Sequence, residues 1–492
     1  MKAKWLPISA AVALALGSVS ASAVDFHGYM RSGLNYATQG GSAYCFGNGQ
    51  KGHLLGRLGD ECDTYAELAL SQEVFNKGNN KFTINTLVAY GTHETLDSVP
   101  GQYDYQGNSW QGVGMGGDRA GAEGHSAWHG QRLSLREAWA GYEMPSGIQL
   151  WAGKRYYQRK DIHIMDFYYL NNSGTGFGVE NISVGTLGAV SVALMKHQVD
   201  VDVTAYDWPY RQYPVDGWEK FPAESTTAAI NSYKFDVRWN GIPLWTDASL
   251  DVALIYAWQK LSEQQKQYMG DLRKGQEAFL PKANNGFLAQ VEWTQGNFFG
   301  GFNKLSFTYG HDALDYVGVL NGGNHAGDNV VPYSEKGNGF RLIDWGVIEQ
   351  PSWNLGYAFL AAHRNAYDEN HTEGGAQWAH PTGNDYAFVV RPAYKWSDFT
   401  STVLEFGYTN QTSTDWNAWA NTYRDGTKKS RVKATKLTLA QQWTPGSQFW
   451  ARPSIRVFAS WLSGDLLRYE YTGNTKNDNH QVLLGAQVEA WW

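Results

Sequence analysis

Four places in the chain set an aromatic ring and a charged side chain two positions apart. These pairs are Tyr29 with Arg31, Tyr65 with Glu67, Asp166 with Tyr168, and Glu489 with Trp491. Residues two apart on a β-strand share a face, so each ring would lie beside its charge. A ring can cover the C–H patches of a pyranose while arginine and carboxylate groups hydrogen-bond its hydroxyls. The pattern therefore indicates a surface suited to carbohydrate.

Several segments alternate between apolar and polar residues, as a strand does when its two faces meet different surroundings. They are residues 81–90, 436–443, 454–461 and 482–492. The last segment puts Trp491 on the polar face with Glu489, and Trp492 on the apolar face. Such alternation suits a soluble antiparallel sheet or a barrel with one face in lipid and one in water.

Composition favours the barrel and excludes several other classes. The chain has 22 Trp, 29 Tyr and 21 Phe, together 15% aromatic, and aromatic girdles at two membrane interfaces need that supply. Mean hydropathy is −0.46 and no stretch of 18 apolar residues follows the N-terminal region, which argues against helical membrane spans. A formal net charge of −7 argues against nucleic acid as a partner.

The N-terminus has the pattern of a secretory signal peptide. Lys2 and Lys4 precede an apolar run over 5–17, and a small-residue exit ends at Ala23. We expect residues 1–23 to be removed and residues 24–492 to form a single domain. The two cysteines, Cys45 and Cys62, would then meet an oxidising compartment, where we expect a disulfide that closes an external loop.

Long Gly-, Asn- and Asp-rich stretches separate the strand-like segments, as external barrel loops do. The most evident are residues 91–130, 200–233, 262–286, 311–340 and 409–431. At roughly 25 residues for each strand and its connection, the domain would hold about 18 strands, enough to enclose an aqueous channel. The predicted fold is an all-β, transmembrane antiparallel β-barrel with long external loops and short periplasmic turns.

Motifs spread over residues 24–492 resemble the maltoporin family. They are 24–29 (VDFHGY), 31–33 (RSG), 61–68 (ECDTYAEL), 135–138 (LREA), 151–159 (WAGKRYYQR), 166–169 (DFYY), 301–304 (GFNK), 391–396 (RPAYKW), 439–443 (LAQQW), 452–453 (RP) and 491–492 (WW). The resemblance implies an 18-stranded homotrimeric porin of the bacterial outer membrane, through which maltose and maltodextrins diffuse. A periplasmic maltose-binding protein is the candidate receiver of the sugar.

The resemblance also implies two sets of substrate-binding residues. The aromatic track would consist of Tyr29, Tyr65, Trp128, Phe302, Trp450 and Trp491. The polar track would consist of Arg31, Arg57, Glu67, Arg136, Arg159, Asp166 and Tyr168. In the family, the tryptophan matched by Trp128 reaches into a neighbouring subunit's pore. The stretch around it is longer here than usual, and Trp110 is an alternative for that role.

Other motifs give weaker indications of function. Residues 112–117 spell a dinucleotide fingerprint without a βαβ unit, and His125 and His129 have a zinc spacing only on a helix. The Asp/Asn-rich stretch 474–480 could hold calcium in an external loop. We expect no cofactor, no resident metal and no catalytic residues.

Three alternatives stay open at this stage. An exported carbohydrate-active enzyme would use Glu67 and Asp166 as its carboxylate pair. A general diffusion porin would have its aromatics only in the girdles. A sucrose porin shares the barrel but usually has an N-terminal coiled-coil extension. The first strand begins close to Val24, which favours maltodextrin.

Overall fold

The computed structural model describes residues 24–40, 43, 54–61, 64–91, 132–202, 227–260, 262–263, 285–318, 320, 337–365, 383–413, 431–464 and 480–492. Within these ranges, no helix is both long and apolar enough to cross a membrane. Residues 1–23, Cys45, Cys62, Trp110 and Trp128 lie outside the described residues, as do the 112–117 motif, His125, His129 and 474–479.

In the described part of the chain, eighteen strands form one antiparallel sheet. They are β1 (Asp25–Ala37), β2 (Thr64–Lys77), β3 (Asn80–Gly91), β4 (Arg132–Glu143), β5 (Gln149–Arg155), β8 (Gly174–Ser183), β9 (Ala189–Asp202), β10 (Thr227–Pro243), β11 (Ala248–Gln259), β12 (Gly286–Phe298), β13 (Gly301–Asp312), β14 (Asn338–Glu349), β15 (Trp353–Asn365), β16 (Gly383–Lys395), β17 (Thr400–Ser413), β18 (Val432–Trp443), β19 (Ser454–Gly464) and β20 (His480–Trp491). Strand β1 pairs with both β2 and β20, which closes the barrel. The predicted fold class is confirmed.

The connections between strands alternate between short turns and long excursions. Residues 78–79 join β2 to β3, whereas residues 92–131 separate β3 from β4. Gly78 and Asn79 have φ of 59° and 62°, the left-handed pair that a two-residue hairpin turn of type I′ needs. Four of the predicted loop boundaries lie three or more residues inside a strand: β9 continues to Asp202, β10 begins at Thr227, β14 begins at Asn338 and β17 continues to Ser413.

The two faces of the barrel wall differ as the alternation predicts. On β18 and β19, Leu439 and Ile455 are exposed on the outer face, while Lys436 and Arg456 are buried on the inner face. Exposed aromatic residues collect at both ends of the outer face. At the short-turn end they are Phe82, Trp245, Phe299, Trp353, Trp396, Phe399, Trp443 and Trp492; at the opposite end they are Tyr36, Tyr256, Phe287, Phe340 and Tyr386. Two such girdles around an apolar band match a bilayer.

The hydrophobic core lies inside the barrel, not between layers. Residues 156–173, here called the inner segment, fold into the lumen and contain the two-stranded sheet of β6 (Lys160–Ile162) and β7 (Phe167–Leu170). Its buried side chains pack with those of residues 313–320 and with apolar wall residues of β11–β16. This explains why wall positions such as Ile343 and Leu360 are apolar although they face inward.

Residues 54–61 also enter the lumen and are held there by a buried charge cluster. The Leu58 N–H donates to Glu405 Oε1 (3.0 Å), and Lys436 Nζ donates to the Leu58 carbonyl (2.9 Å). Glu405 is itself paired with Lys436 (3.2 Å) and accepts from Arg391 Nε (2.6 Å). One carboxylate therefore pairs with two buried cations and anchors the segment.

Replacing Glu405 by Ala is expected to destabilise the folded barrel by about 3–5 kcal/mol, because Lys436 and Arg391 would be left buried without a carboxylate. The readout is the temperature at which the detergent-extracted protein loses its folded electrophoretic mobility. Glu143→Ala is the matched control, since its pair with Lys81 is 37–44% exposed and is worth at most about 1 kcal/mol. Equal melting temperatures for the two variants would contradict the stabilising role of Glu405.

Candidate functional site in the barrel lumen

Four of the predicted aromatic residues, here called the aromatic line, lie at neighbouring positions on the inner side of the barrel wall. Tyr29 on β1 is the register partner of Trp491 on β20. The rings of Tyr29 and Tyr65 have centroids 6.2 Å apart, and those of Trp450 and Trp491 have centroids 6.4 Å apart. Trp450 lies in the turn between β18 and β19, at the short-turn end. The line therefore runs from β2 across the barrel closure toward that end.

Phe302 also faces the lumen but has a different neighbour. It shares the inner face of β13 with Lys304, and its ring meets Trp345 edge-on at 5.0 Å. Phe302 and Phe449 both pack against the core formed by the inner segment, and Phe449 contacts Trp450 at 4.9 Å. Trp128, the sixth predicted ring, lies outside the described residues.

Glu489 is the carboxylate on which the cations beside the aromatic line converge. It lies 3.1 Å from Arg57 Nη2 and accepts from Arg452 Nε at 2.9 Å and from the Tyr29 hydroxyl at 3.3 Å. Arg57 also donates to the Tyr29 hydroxyl and pairs with Glu61. The guanidinium carbon of Arg452 lies 4.1 Å from the centroid of the Trp491 ring. Rings and charges thus support one another sterically and electrostatically.

The predicted polar residues are tied to the inner segment. Arg31 Nη1 donates to Asp166 Oδ2 at 2.8 Å, and the guanidinium carbon of Arg31 lies 5.3 Å from the Tyr65 ring centroid. Glu67 accepts from the Tyr65 hydroxyl at 2.6 Å and from the Tyr156 hydroxyl at 3.1 Å. The adjacent strands β1 and β2 are therefore linked to the inner segment by charge-assisted hydrogen bonds, which are stronger than neutral ones.

Arg159 and Tyr168 form a second small stack within the inner segment. The guanidinium carbon of Arg159 lies 3.5 Å from the Tyr156 ring centroid and 4.6 Å from that of Tyr168. Burial raises the pKa of Tyr168, and the nearby Asp166 carboxylate raises it further. The phenol therefore stays protonated and keeps an O–H group to donate.

A β-bulge brings Arg136 into the site. The register of β3 with β4 shifts so that Leu87 pairs with Glu137 and Val88 pairs with Leu135, which leaves Arg136 as the extra residue. The outward Leu135 is therefore followed by Arg136 and then by the inward Glu137, which accepts from the Tyr156 N–H at 2.7 Å. Bulges commonly re-aim a side chain near functional sites.

Sequence reasoning missed His163, Arg452 and Glu489 as parts of the site. His163 lies between the rings of Trp450 (5.3 Å) and Trp491 (5.4 Å). Two of them had a signal: Glu489 is two residues from Trp491, and Arg452 belongs to the 452–453 motif. The pKa of His163 is lowered to about 4. Burial is the main cause, Glu489 opposes it, and Arg57 and Arg452 act in the same direction as burial. The neutral imidazole can accept from Arg452, whose Nη2 lies 3.1 Å from Nε2.

The arrangement is suited to holding an extended ligand, and its carboxylates are already engaged. Asp166 accepts from Arg31, and Glu67 accepts from the hydroxyls of Tyr65 and Tyr156. Among the residues that the structure describes, no three His, Cys, Asp or Glu side chains are grouped as a metal site requires. What the geometry offers is a strip of rings with donors and acceptors beside it.

A closed 18-stranded barrel with two aromatic girdles outside and a charged lumen inside is an outer-membrane channel protein. The LamB porin family model matches residues 24–492. The chain belongs to the LamB porin family and is an outer-membrane porin. The fold and the family are those of a channel protein.

Solved outer-membrane proteins show distant structural likeness. A loop-deletion mutant of OmpT of Vibrio cholerae has 12% identity and a TM-score of 0.36, with 96% of this chain and 99% of that chain covered. OccK1 (OpdK) of Pseudomonas aeruginosa has 10% identity and a TM-score of 0.42, with 95% and 99% covered. OprD of the same organism has 9% identity and a TM-score of 0.42, with 95% and 93% covered. Likenesses this distant say nothing about what this chain transports.

Glu489→Gln is expected to make the channel more permeable to anions, because Arg57 and Arg452 would lose their shared negative charge. The chloride-to-potassium permeability ratio should rise on the order of twofold. It is measured from the reversal potential across a planar bilayer under a KCl gradient. Glu143→Gln, at the rim of a short turn, is the control. An unchanged reversal potential for Glu489→Gln would show that the cluster does not influence permeating ions.

Proposed function

We propose that this porin facilitates the diffusion of maltose and maltodextrins across the outer membrane. The observation that supports the proposal is that Tyr65, Tyr29, Trp491 and Trp450 lie at neighbouring positions inside the barrel, beside arginines and carboxylates. The proposed aromatic track also includes Phe302 and Trp128. The proposed polar track consists of Arg31, Arg57, Glu67, Arg136, Arg159, Asp166 and Tyr168.

Maltodextrin has the complementary chemistry. Each glucose unit has apolar C–H patches for a ring to cover and a rim of hydroxyls that can both donate and accept. Because successive units repeat both features, a chain can move from ring to ring with small energy steps. Conduction requires binding that is strong enough to enter and weak enough to leave. We therefore expect millimolar to micromolar affinity, about −4 to −8 kcal/mol.

Two other cargo assignments differ from this one in their measurable behaviour. A general diffusion porin would conduct ions without being blocked by sugar. A sucrose-selective porin would be blocked by sucrose at least as well as by maltose. The aromatic line favours a repeating ligand over a compact disaccharide, because it extends over several rings.

The same proposal includes export and assembly. Residues 1–23 act as a cleaved signal peptide, Cys45 and Cys62 form a disulfide, and three copies assemble into a homotrimer. A disulfide closing a loop of this length would contribute about 3 kcal/mol. A periplasmic maltose-binding protein receives the sugar.

Trp491→Ala and Trp450→Ala should each weaken maltodextrin binding about tenfold, the equivalent of about 1.4 kcal/mol, because each removes one stacking surface. The measurement is sugar-induced block of ion conductance in planar bilayers, titrated with maltose, maltotriose, longer maltodextrins and sucrose. The wild-type block should tighten with maltodextrin length. Trp396→Ala, in the girdle at the short-turn end of the outer face, is the matched control and should bind sugar like the wild type.

The alternatives predict other outcomes. Conductance without any sugar block would leave a general diffusion porin. Tighter block by sucrose than by maltotriose would reverse the cargo assignment. Equal losses for Trp396→Ala and Trp491→Ala would mean that the tryptophans act on barrel stability and not on sugar.

The protein purified from outer membranes should have the mass of residues 24–492 less two hydrogens, because cleavage follows Ala23 and the two cysteines are oxidised. Intact-mass spectrometry with and without reductant measures both features. Unboiled electrophoresis should show a trimer that heat converts to a monomer. A mass that includes residues 1–23, or two free thiols, would contradict the respective part of the proposal.

A further inference from the structure

Arg341 stands out on the inner wall of the barrel. It projects from β14 into the core beneath the inner segment, and it is 0% exposed. Its Nη2 donates to the Tyr169 carbonyl at 2.6 Å, and its guanidinium carbon lies 5.1 Å from the Phe167 ring centroid. Its Nε and Nη1 have no hydrogen-bond partner. A full positive charge is therefore buried, and it contacts one carbonyl oxygen and one aromatic ring.

Other buried arginines of the described wall have a carboxylate. Arg238 Nη2 donates to Asp236 Oδ2 at 2.6 Å, and Arg364 Nη2 donates to Asp315 Oδ1 at 2.6 Å. Arg391 Nε donates to Glu405 Oε2 at 2.6 Å. No described carboxylate pairs with Arg341 in this way. A buried charge without a partner is strongly unfavourable, so this position calls for a negative charge from outside the described chain.

The residues beside Arg341 supply further unfilled polar atoms. Arg341 is the register partner of Thr308 on β13, and Thr308 is the register partner of Gln290 on β12. Both are buried, and Thr308 Oγ1 and Gln290 Oε1 have no hydrogen-bond partner. Gln290 Nε2 donates to Ser306 Oγ at 2.8 Å. If the Gln290 side-chain amide is flipped, its oxygen accepts from the Ser306 hydroxyl and its –NH₂ group faces Thr308.

We propose that Arg341, Thr308 and Gln290 form a binding site for one small monovalent anion, with chloride as the abundant occupant. The guanidinium supplies two N–H donors and the compensating charge, and the hydroxyl supplies an O–H donor. Water could satisfy the same donors but would leave the charge uncompensated. The site lies behind the inner segment and away from the aromatic line, so its role is to fasten that segment to the wall.

The test uses the folded full-length protein in detergent at constant sodium concentration, with gluconate replaced stepwise by chloride or bromide. The unfolding temperature should rise saturably, by on the order of 2 °C, because an ion that binds only the folded state stabilises it. Arg341→Met should abolish this rise. Thr308→Asp, which places a carboxylate opposite Arg341, should also abolish it, and should leave the protein in gluconate at least as stable as the wild type in chloride.

Arg364→Met is the matched control, since it removes an equally buried arginine that already has a carboxylate, and its halide response should remain. Crystals grown in bromide should show an anomalous peak beside Arg341. Unfolding temperatures that do not depend on halide, together with no bromide peak at this position, would overturn the proposal. A halide response of wild-type size in Thr308→Asp would also overturn the proposal. This second variant keeps the test decisive if Arg341→Met fails to fold.

Discussion

The pairing of the first strand with the last is the interaction on which the rest of the structure depends. In lipid, every backbone N–H and C=O must be satisfied within the protein, so a sheet can span the bilayer only if it closes. The register of β1 with β20 provides that closure, and the Gly28 and Trp492 backbones exchange two further hydrogen bonds. The same pairing sets Tyr29 against Trp491 and Arg31 against Glu489. Closing the barrel and assembling the lumen site are therefore one event.

The second feature on which the structure depends is that parts of the chain itself fill some of the barrel. The inner segment and residues 313–320 cover the apolar inner wall of β11–β16, while residues 54–61 are anchored by Glu405. The remaining lumen is bordered by the aromatic line on β1, β2 and β20.

Much of this could be read from the sequence because its causes are local. Strand alternation gave the face of Trp491 and of Lys436, and two-residue spacing gave the aromatic and charged pairs of β1 and β2. The depth of the inner segment could not be read, because it depends on contacts of residues such as Phe167 with strands more than a hundred positions away. The role of Arg136 was implied only by resemblance, since the bulge that turns it inward depends on a register shift with β3. His163 had no signal of its own, because its neighbours come from three distant parts of the chain.

The charge network also bears on how tightly the proposed sugar could bind. Arg31, Arg57 and Glu67 already have partners of opposite charge or hydroxyl groups within the protein. A sugar hydroxyl that binds any of them adds to a satisfied set or displaces a strong bond, so its net contribution is small. Arginines also lie over three of the rings, Arg31 at Tyr65, Arg57 at Tyr29 and Arg452 at Trp491, so a sugar would have to stack on the opposite face of each ring. Because the charged groups are already paired, they hold the lumen side chains in place and bind each sugar unit only weakly. Weak binding at each site lets the sugar move on, whereas tight binding would stop its passage.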